Sequence, residues 1–420
     1  MRTRGSTAAW SLVAWSLAIA PFAATAFPTF PPPPRLSTDV LSTLTDATSS
    51  DAVDPTRRDV PVPIVIWHGL GDKFDNPGLV SLKRDLEHRP GLEGVFVHLV
   101  QIGQDGPADQ RATFFGNANA QIAQACAQLR SIPEIVDPSL NPSGKFDAIG
   151  FSQGGQLLRA LVERCGGRSD GSLRVRHLIT LGSQHMGIDA LPPCPPDSSP
   201  LSPCHLMHLS LLRTSIYSSY AQSSILPAQY FRDESTDAAF AKYLAVNGFL
   251  RDINNEVEGD SRSGRGRRAN ELATFDRGGG SDDNSTLRNA SYKANFEQLE
   301  KLVLIRFSDD ATVVPPHSAH FTLPDPDATN CPSRPSATCY KTPLDPSLIP
   351  LYARDYNGLR TLDERGKVER LVCNGVHMEI SDQCWDTVVR YLGKADRGTA
   401  VRHELAQEDD TRLLFQGSFW

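Results

Sequence analysis

The chain has 420 residues, 40% hydrophobic and 22% charged, which is enough apolar material for a large core and excludes general disorder. Its 49 acidic residues against 42 basic ones give a formal charge of −7, which excludes the broad basic surface of a non-specific nucleic-acid binder. The length fits one large α/β domain with insertions, or two domains of ordinary size.

Arg2 and Arg4 precede an apolar run from Ala8 to Ala20, and Ala24-Thr25-Ala26 has the small-x-small pattern of a cleavage site. Residues 1–26 therefore read as a signal peptide. The run is shorter than the roughly 20 residues a membrane helix needs, so no stable membrane anchor is expected. Residues 27–60 are rich in Pro, Ser and Thr, including Pro31 to Pro34, and read as a leader that cannot pack. The folded domain is expected over 61–394.

It opens with the apolar run Val62 to Trp67, which suits a strand buried on both faces and ends at His68-Gly69-Leu70-Gly71. A helix is predicted at Leu79–Glu87, a strand at Val95–Val100 and a helix at Ala118–Leu129. A strand at Phe146–Ile149, a helix at Gln156–Cys165 and a strand at Val175–Leu181 follow. Such alternation predicts a parallel, doubly wound sheet. It stops after Gly187. Residues of about 186–295 read as a helical, cap-like insertion between the sheet halves, containing a polar stretch at 256–283. Order returns with helix Tyr292–Leu299, strands Lys301–Phe307 and Glu369–Cys373, and helix Cys384–Leu392. Residues 395–420 read as a charged tail.

Eight cysteines follow the signal: Cys126, Cys165, Cys194, Cys204, Cys331, Cys339, Cys373 and Cys384. An even number in an exported chain favours disulfides. Short loops select Cys194 with Cys204, Cys331 with Cys339 and Cys373 with Cys384, which leaves Cys126 with Cys165. No CxxC pair is present, so no metal is expected. Asn284 and Asn289 are glycosylation acceptors, whereas Pro142 disqualifies Asn141.

Gly150-Phe151-Ser152-Gln153-Gly154 fits G-x-S-x-G, and it lies between a predicted strand and a predicted helix, as a nucleophile elbow requires. A serine hydroxyl needs a neighbouring base. Nucleophile, acid and histidine follow in that order in an α/β-hydrolase fold. The acid belongs after a later strand, and Ser308-Asp309-Asp310 follows Leu302–Phe307. The histidine belongs after the next strand, where Asn374-Gly375-Val376-His377 stands. His377 is thus the expected base and Asp310 its partner, with Asp309 the competitor. Oxyanion donors are expected from the backbone of Gln153 and, in the first glycine turn, Leu70. The spacings His205/His208 and His317/His320 would suit a metal, but neither has a third ligand in sight. His185 is expected only to line the site.

Several segments resemble a palmitoyl-protein thioesterase of the lysosomal, first type. They are Val65-Ile66-Trp67-His68-Gly69-Leu70-Gly71-Asp72, the stretch from Ala148 to Ala160, Gly182-Ser183-Gln184-His185-Met186-Gly187, Leu191-Pro192-Pro193-Cys194-Pro195 and Asp252-Ile253-Asn254-Asn255-Glu256. The resemblance spans about Pro63 to Gly393. It implies a triad at Ser152, Asp310 and His377, oxyanion donors at Leu70 and Gln153, and cysteine pairs matching Cys126–Cys165 and Cys194–Cys204. It further implies hydrolysis of long-chain acyl thioesters on S-acylated proteins or peptides, with no cofactor, in the secretory pathway, the lysosome or vacuole, or outside the cell. The acyl chain is expected along Leu206, Leu209, Leu212 and Ile216, whose helical spacing also suits plain core packing. Lys73-Phe74-Asp75 stands where animal members carry a cysteine pair, and Asp309-Asp310-Ala311 lacks the family's glycan acceptor. The same triad would serve a secreted carboxylesterase or lipase on oxygen esters. A reading of another class is a silent binding protein on a hydrolase scaffold.

Overall fold

The computed structural model describes residues 60–262, 287–325 and 342–393. The segments expected as signal peptide, leader up to residue 59 and charged tail, together with most of the expected polar stretch, Cys331, Cys339 and Asn284, lie outside the described residues.

Six strands pair side by side, all parallel: β1 (Ile64–Trp67), β2 (Val97–Leu99), β3 (Phe146–Phe151), β4 (Val175–Leu181), β5 (Lys301–Phe307) and β6 (Val368–Cys373). The order is β2-β1-β3-β4-β5-β6. The chain therefore steps one way from β1 to β2 and then crosses to β3 on the other side. Ligands of open α/β sheets bind at such a reversal, beyond the carboxyl ends of the strands.

Both faces of the inner strands are covered, which is why β1, β3 and β5 are buried along nearly their whole length without alternation, whereas the edge strands β2 and β6 are only partly buried. Val65, Trp67, Ala148, Leu178, Leu302 and Leu304 pack on one face beneath α3 (Ala118–Arg130) and α5 (Gln153–Cys165). Ile64, Ile66, Ile149, Ile179 and Val303 face the other way, beneath α1 (Pro77–His88) and the helix Asp382–Val389. The expected doubly wound α/β-hydrolase arrangement is the observed one. Several helices are unexpected: the short α4 (Pro133–Val136), Pro350–Ala353 and Leu359–Glu364, and the longer α2 (Gly106–Phe114), started by the Asp105 side chain accepting from Ala108 N at 2.8 Å and by Pro107 in its first turn. The insertion folds as α6 (Pro203–Arg213), α7 (Ser219–Ser224), α8 (Leu226–Gln229), α9 (Asp237–Val246) and α10 (Leu250–Ile253). The bonds Cys126–Cys165, Cys194–Cys204 and Cys373–Cys384 are formed.

Helix α5 buries an ionisable pair, Arg159 and Glu163, both fully inaccessible and 3.5 Å apart. Arg159 has other partners: Asn254 Oδ1 at 2.9 Å, the carbonyls of His185 and Ile253 at 3.3 Å, and the Phe321 ring. The Glu163 carboxyl oxygens accept no hydrogen bond among the described residues. Burial, outweighing the Arg159 charge, pushes its carboxyl up from 4.5 to about 8. The fold therefore holds a proton on Glu163 that the unfolded chain releases above the ordinary carboxylate range. This contribution is fully present below about pH 4.5 and is lost as pH rises toward about 8, by up to ~1.4 kcal/mol per unit. His185 and His320, both lowered by burial, act in the opposite sense over part of that range, so the test is the difference between variants. In urea unfolding, the stability of Glu163→Gln relative to wild type should rise between about pH 5 and about pH 7.5. A pH-independent difference between the two would reject this origin.

Candidate active site

Strand β3 turns into α5 through Ser152, whose backbone sits at φ 49° and ψ −119°. A non-glycine residue there is strained, and the neighbours show what holds it. A Cβ on Gly150 would come 2.3 Å from Gly155 Cα, and one on Gly154 would come 2.2 Å from the Trp67 carbonyl oxygen. Only glycine lets strand, helix and the end of β1 approach this closely. Ser152 N–H donates to the Leu181 carbonyl at 2.7 Å, tying the turn to the end of β4.

The loops after β5 and β6 bring the other two groups. Asp310 is buried, and its Oδ1 accepts from the amides of Thr312 and Val313, each at 2.9 Å. Its Oδ2 lies 2.7 Å from His377 Nδ1, and His377 Nε2 lies 3.0 Å from Ser152 Oγ. With its Nδ1–H given to Asp310, the imidazole turns a bare Nε2 toward the serine. Asp309 is exposed, its carboxylate accepting from Ser308 Oγ at 2.8 Å.

Gly69, Leu70, Asp72, Phe151, Ser152, His377 and Met378 line a narrow cleft over the serine. Among the described residues, neither the Leu70 nor the Gln153 amide donates to another group, so both remain available to an anion. The loop bearing Leu70 is held from below. His68 Nε2 meets Asp109 Oδ2 at 2.8 Å, and Asp109 also accepts from the amides of Phe74, Ile102 and Gly103. Burial pulls His68 down, but the Asp109 hydrogen bond and charge outweigh it and leave the imidazole above its ordinary value. Burial pushes the Asp72 carboxyl up, with the His68 charge opposing. The Tyr230 hydroxyl, from the insertion, donates to Gln153 Oε1 at 3.0 Å and so fixes the residue after the nucleophile.

Other expected residues fall outside this cleft. His185 is buried behind it, stacked on Phe321 at 4.4 Å and bonded to Thr180, and burial drives it well below its ordinary value. His320 bonds the Leu371 carbonyl, and burial takes it down to about 4. His208 bonds the Pro192 carbonyl beside the Cys194–Cys204 disulfide, which withholds both thiolates from any cation. Asn289 is exposed and its side chain caps the helix Ala290–Phe296. The expected acyl stripe needs correction. Leu206, Leu209 and Leu212 are exposed on the outer side of α6, whereas Cys204, Met207 and Leu211 turn inward. Ile216 is partly buried in the same inner cluster, with Leu70 and Phe114. Helical spacing located a real face but not the side that is covered.

Asp109 and Tyr230 escaped the sequence reading. The start signal Asp105-Gly106-Pro107 marks α2 and thereby Asp109's helix. No local pattern links Asp109 to His68, 41 residues earlier, or Tyr230 to Gln153, 77 residues earlier.

The family model described as Palmitoyl protein thioesterase matches residues 63–377. The chain is 29% identical over 325 residues to Palmitoyl-protein thioesterase 1 of Caenorhabditis elegans, covering 76% of this chain and 87% of that protein. It is 30% identical over 263 residues to the Palmitoyl-protein thioesterase-dolichyl pyrophosphate phosphatase fusion 1 of Schizosaccharomyces pombe, covering 62% of this chain and 34% of the fusion. Lysosomal thioesterase PPT2-B of Xenopus laevis is 26% identical over 243 residues, with 57% and 66% covered.

Proposed function

From the premise that the chain belongs to the palmitoyl protein thioesterase family, we propose that it removes long-chain acyl groups from protein cysteines through an acyl-serine at Ser152. The observation that carries this reading is the continuous line from Asp310 Oδ2 through the His377 ring to Ser152 Oγ, with contacts of 2.7 and 3.0 Å.

In the first step Ser152 Oγ attacks the thioester carbonyl carbon and its proton passes to His377 Nε2. The carbonyl oxygen becomes an oxyanion between the Leu70 and Gln153 amides, where one such donor is worth about 2.7–4 kcal/mol. The tetrahedral carbon then expels the cysteine sulfur, which takes the proton from His377. In the second step His377 removes a proton from water, the hydroxide oxygen attacks the acyl-serine, and Ser152 leaves with the proton returned. The chemistry calls on no metal or cofactor. Three disulfides suit an oxidising compartment, and a relative named lysosomal agrees with a route through the secretory pathway.

Nothing in the triad itself prefers sulfur to oxygen, so the deciding measurement compares palmitoyl thioester with the matching palmitoyl ester. We expect the higher kcat/KM on the thioester. A clear preference for the ester would reassign the protein as a carboxylesterase. Absence of labelling by a fluorophosphonate probe would leave only a binding role.

A further inference from the structure

Helix α6 has an inner and an outer side. Met207 and Leu211 face inward against Leu70 and Phe114, so the helix rests on the loop that lines the Ser152 cleft. Outward, Leu206, Leu209 and Leu212 are 39%, 44% and 84% exposed at three-residue steps, and Leu201, just before the helix, is 78% exposed. Arg213, one turn beyond Leu209, is exposed on the same side. Single exposed leucines are ordinary, but a run of them beside a functional cleft marks an interaction surface.

Charge narrows the occupant. The chain carries 49 Asp and Glu in 420 residues, yet none occurs between Asp197 and Asp233. A segment that exposes leucines and Arg213, with carboxylates absent, suits the headgroup boundary of a bilayer, where acidic side chains would be repelled by anionic lipids. The substrate's chemistry points the same way. A long acyl chain is held in a bilayer by every methylene it buries, so a thioesterase working from water must draw it out through solvent.

Resting on the substrate reading above, we propose that the outer side of α6 docks on the lipid bilayer that holds the acylated protein. Docking presents the cleft beside Leu70 to the emerging chain, which then reaches Ser152 without crossing bulk water.

The test is flotation of the full protein with phosphatidylcholine–phosphatidylserine vesicles, paired with turnover of a palmitoyl peptide in those vesicles and of a soluble butyryl thioester. Wild type and Ser152→Ala should float equally, which separates docking from chemistry. A Leu201→Ser/Leu206→Ser/Leu209→Ser/Leu212→Ser variant should lose ~10-fold or more in vesicle binding and in turnover of the vesicle-held peptide, while still hydrolysing the soluble thioester. Arg213→Glu, which removes no apolar contact, should weaken binding to the anionic vesicles in a salt-dependent way. Wild type that stays off the vesicles, or a quadruple variant that binds unchanged, would overturn the proposal. So would light scattering that shows a wild-type dimer split by the leucine changes with vesicle binding unaffected, since the face would then belong to a second copy. Failure on the soluble thioester in the wild type would instead indict the catalytic reading.

Discussion

Ser152→Ala should lower kcat on a palmitoyl thioester by on the order of 10⁶ and abolish fluorophosphonate labelling. The magnitude follows from how the site is built. Among the described residues, the serine oxygen is the only group placed to form a covalent acyl intermediate over the amides of Leu70 and Gln153, and without it water must attack unaided. His377→Ala should cost about as much, because Ser152 Oγ then has no base 3.0 Å away. The double variant should be scarcely worse than either single one, since the two residues perform one proton transfer. Residual turnover well above the uncatalysed rate should survive in all three, supplied by the oxyanion amides, which no side-chain change removes. Additive losses in the double variant would show that the serine and the histidine act separately, contrary to the bond between them.

How far the sequence reveals this site depends on the range of the force involved. The elbow is legible because its cause is local: the closeness of Gly150 to Gly155 and of Gly154 to the end of β1 admits no Cβ, and that requirement is written as glycines flanking Ser152. The region of the acid and the identity of the base are legible through strand order, since the apolar run of β5 leads into the adjacent Asp309 and Asp310 and β6 leads into a glycine turn ending in His377. The choice between Asp309 and Asp310 is not. Adjacent residues leaving a strand point to opposite sides, and only the turn through Thr312 and Val313 shows which carboxylate is drawn inward. The loop clamp from His68 to Asp109 is invisible for the same reason that α6 was misjudged. Sequence shows that a polar group needs a partner or that a helix has an apolar side, but not what lies opposite.

Asp310→Asn should reduce kcat/KM by about 10⁴ while leaving the fold intact, and Asp309→Asn should change it by little. The argument turns on where the new amide nitrogen must go. Oδ1 of Asp310 faces two N–H donors, Thr312 and Val313, so the amide oxygen of the asparagine stays there to accept them. The NH₂ group is then forced toward His377 Nδ1, at the position where Oδ2 accepts at 2.7 Å. Two donors cannot share that contact, so the ring keeps its proton on Nε2 and offers Ser152 a hydrogen instead of a lone pair. The nucleophile is in place but cannot be deprotonated. Asp309→Asn touches only an exposed bond to Ser308, and the Asp309 amide still donates to the Gly375 carbonyl at 2.9 Å. Steady-state kinetics on both variants, with thermal melts to confirm folding, give the comparison. A greater loss for Asp309→Asn would move the acid one residue along the chain and with it the inward turn on which the imidazole's orientation depends.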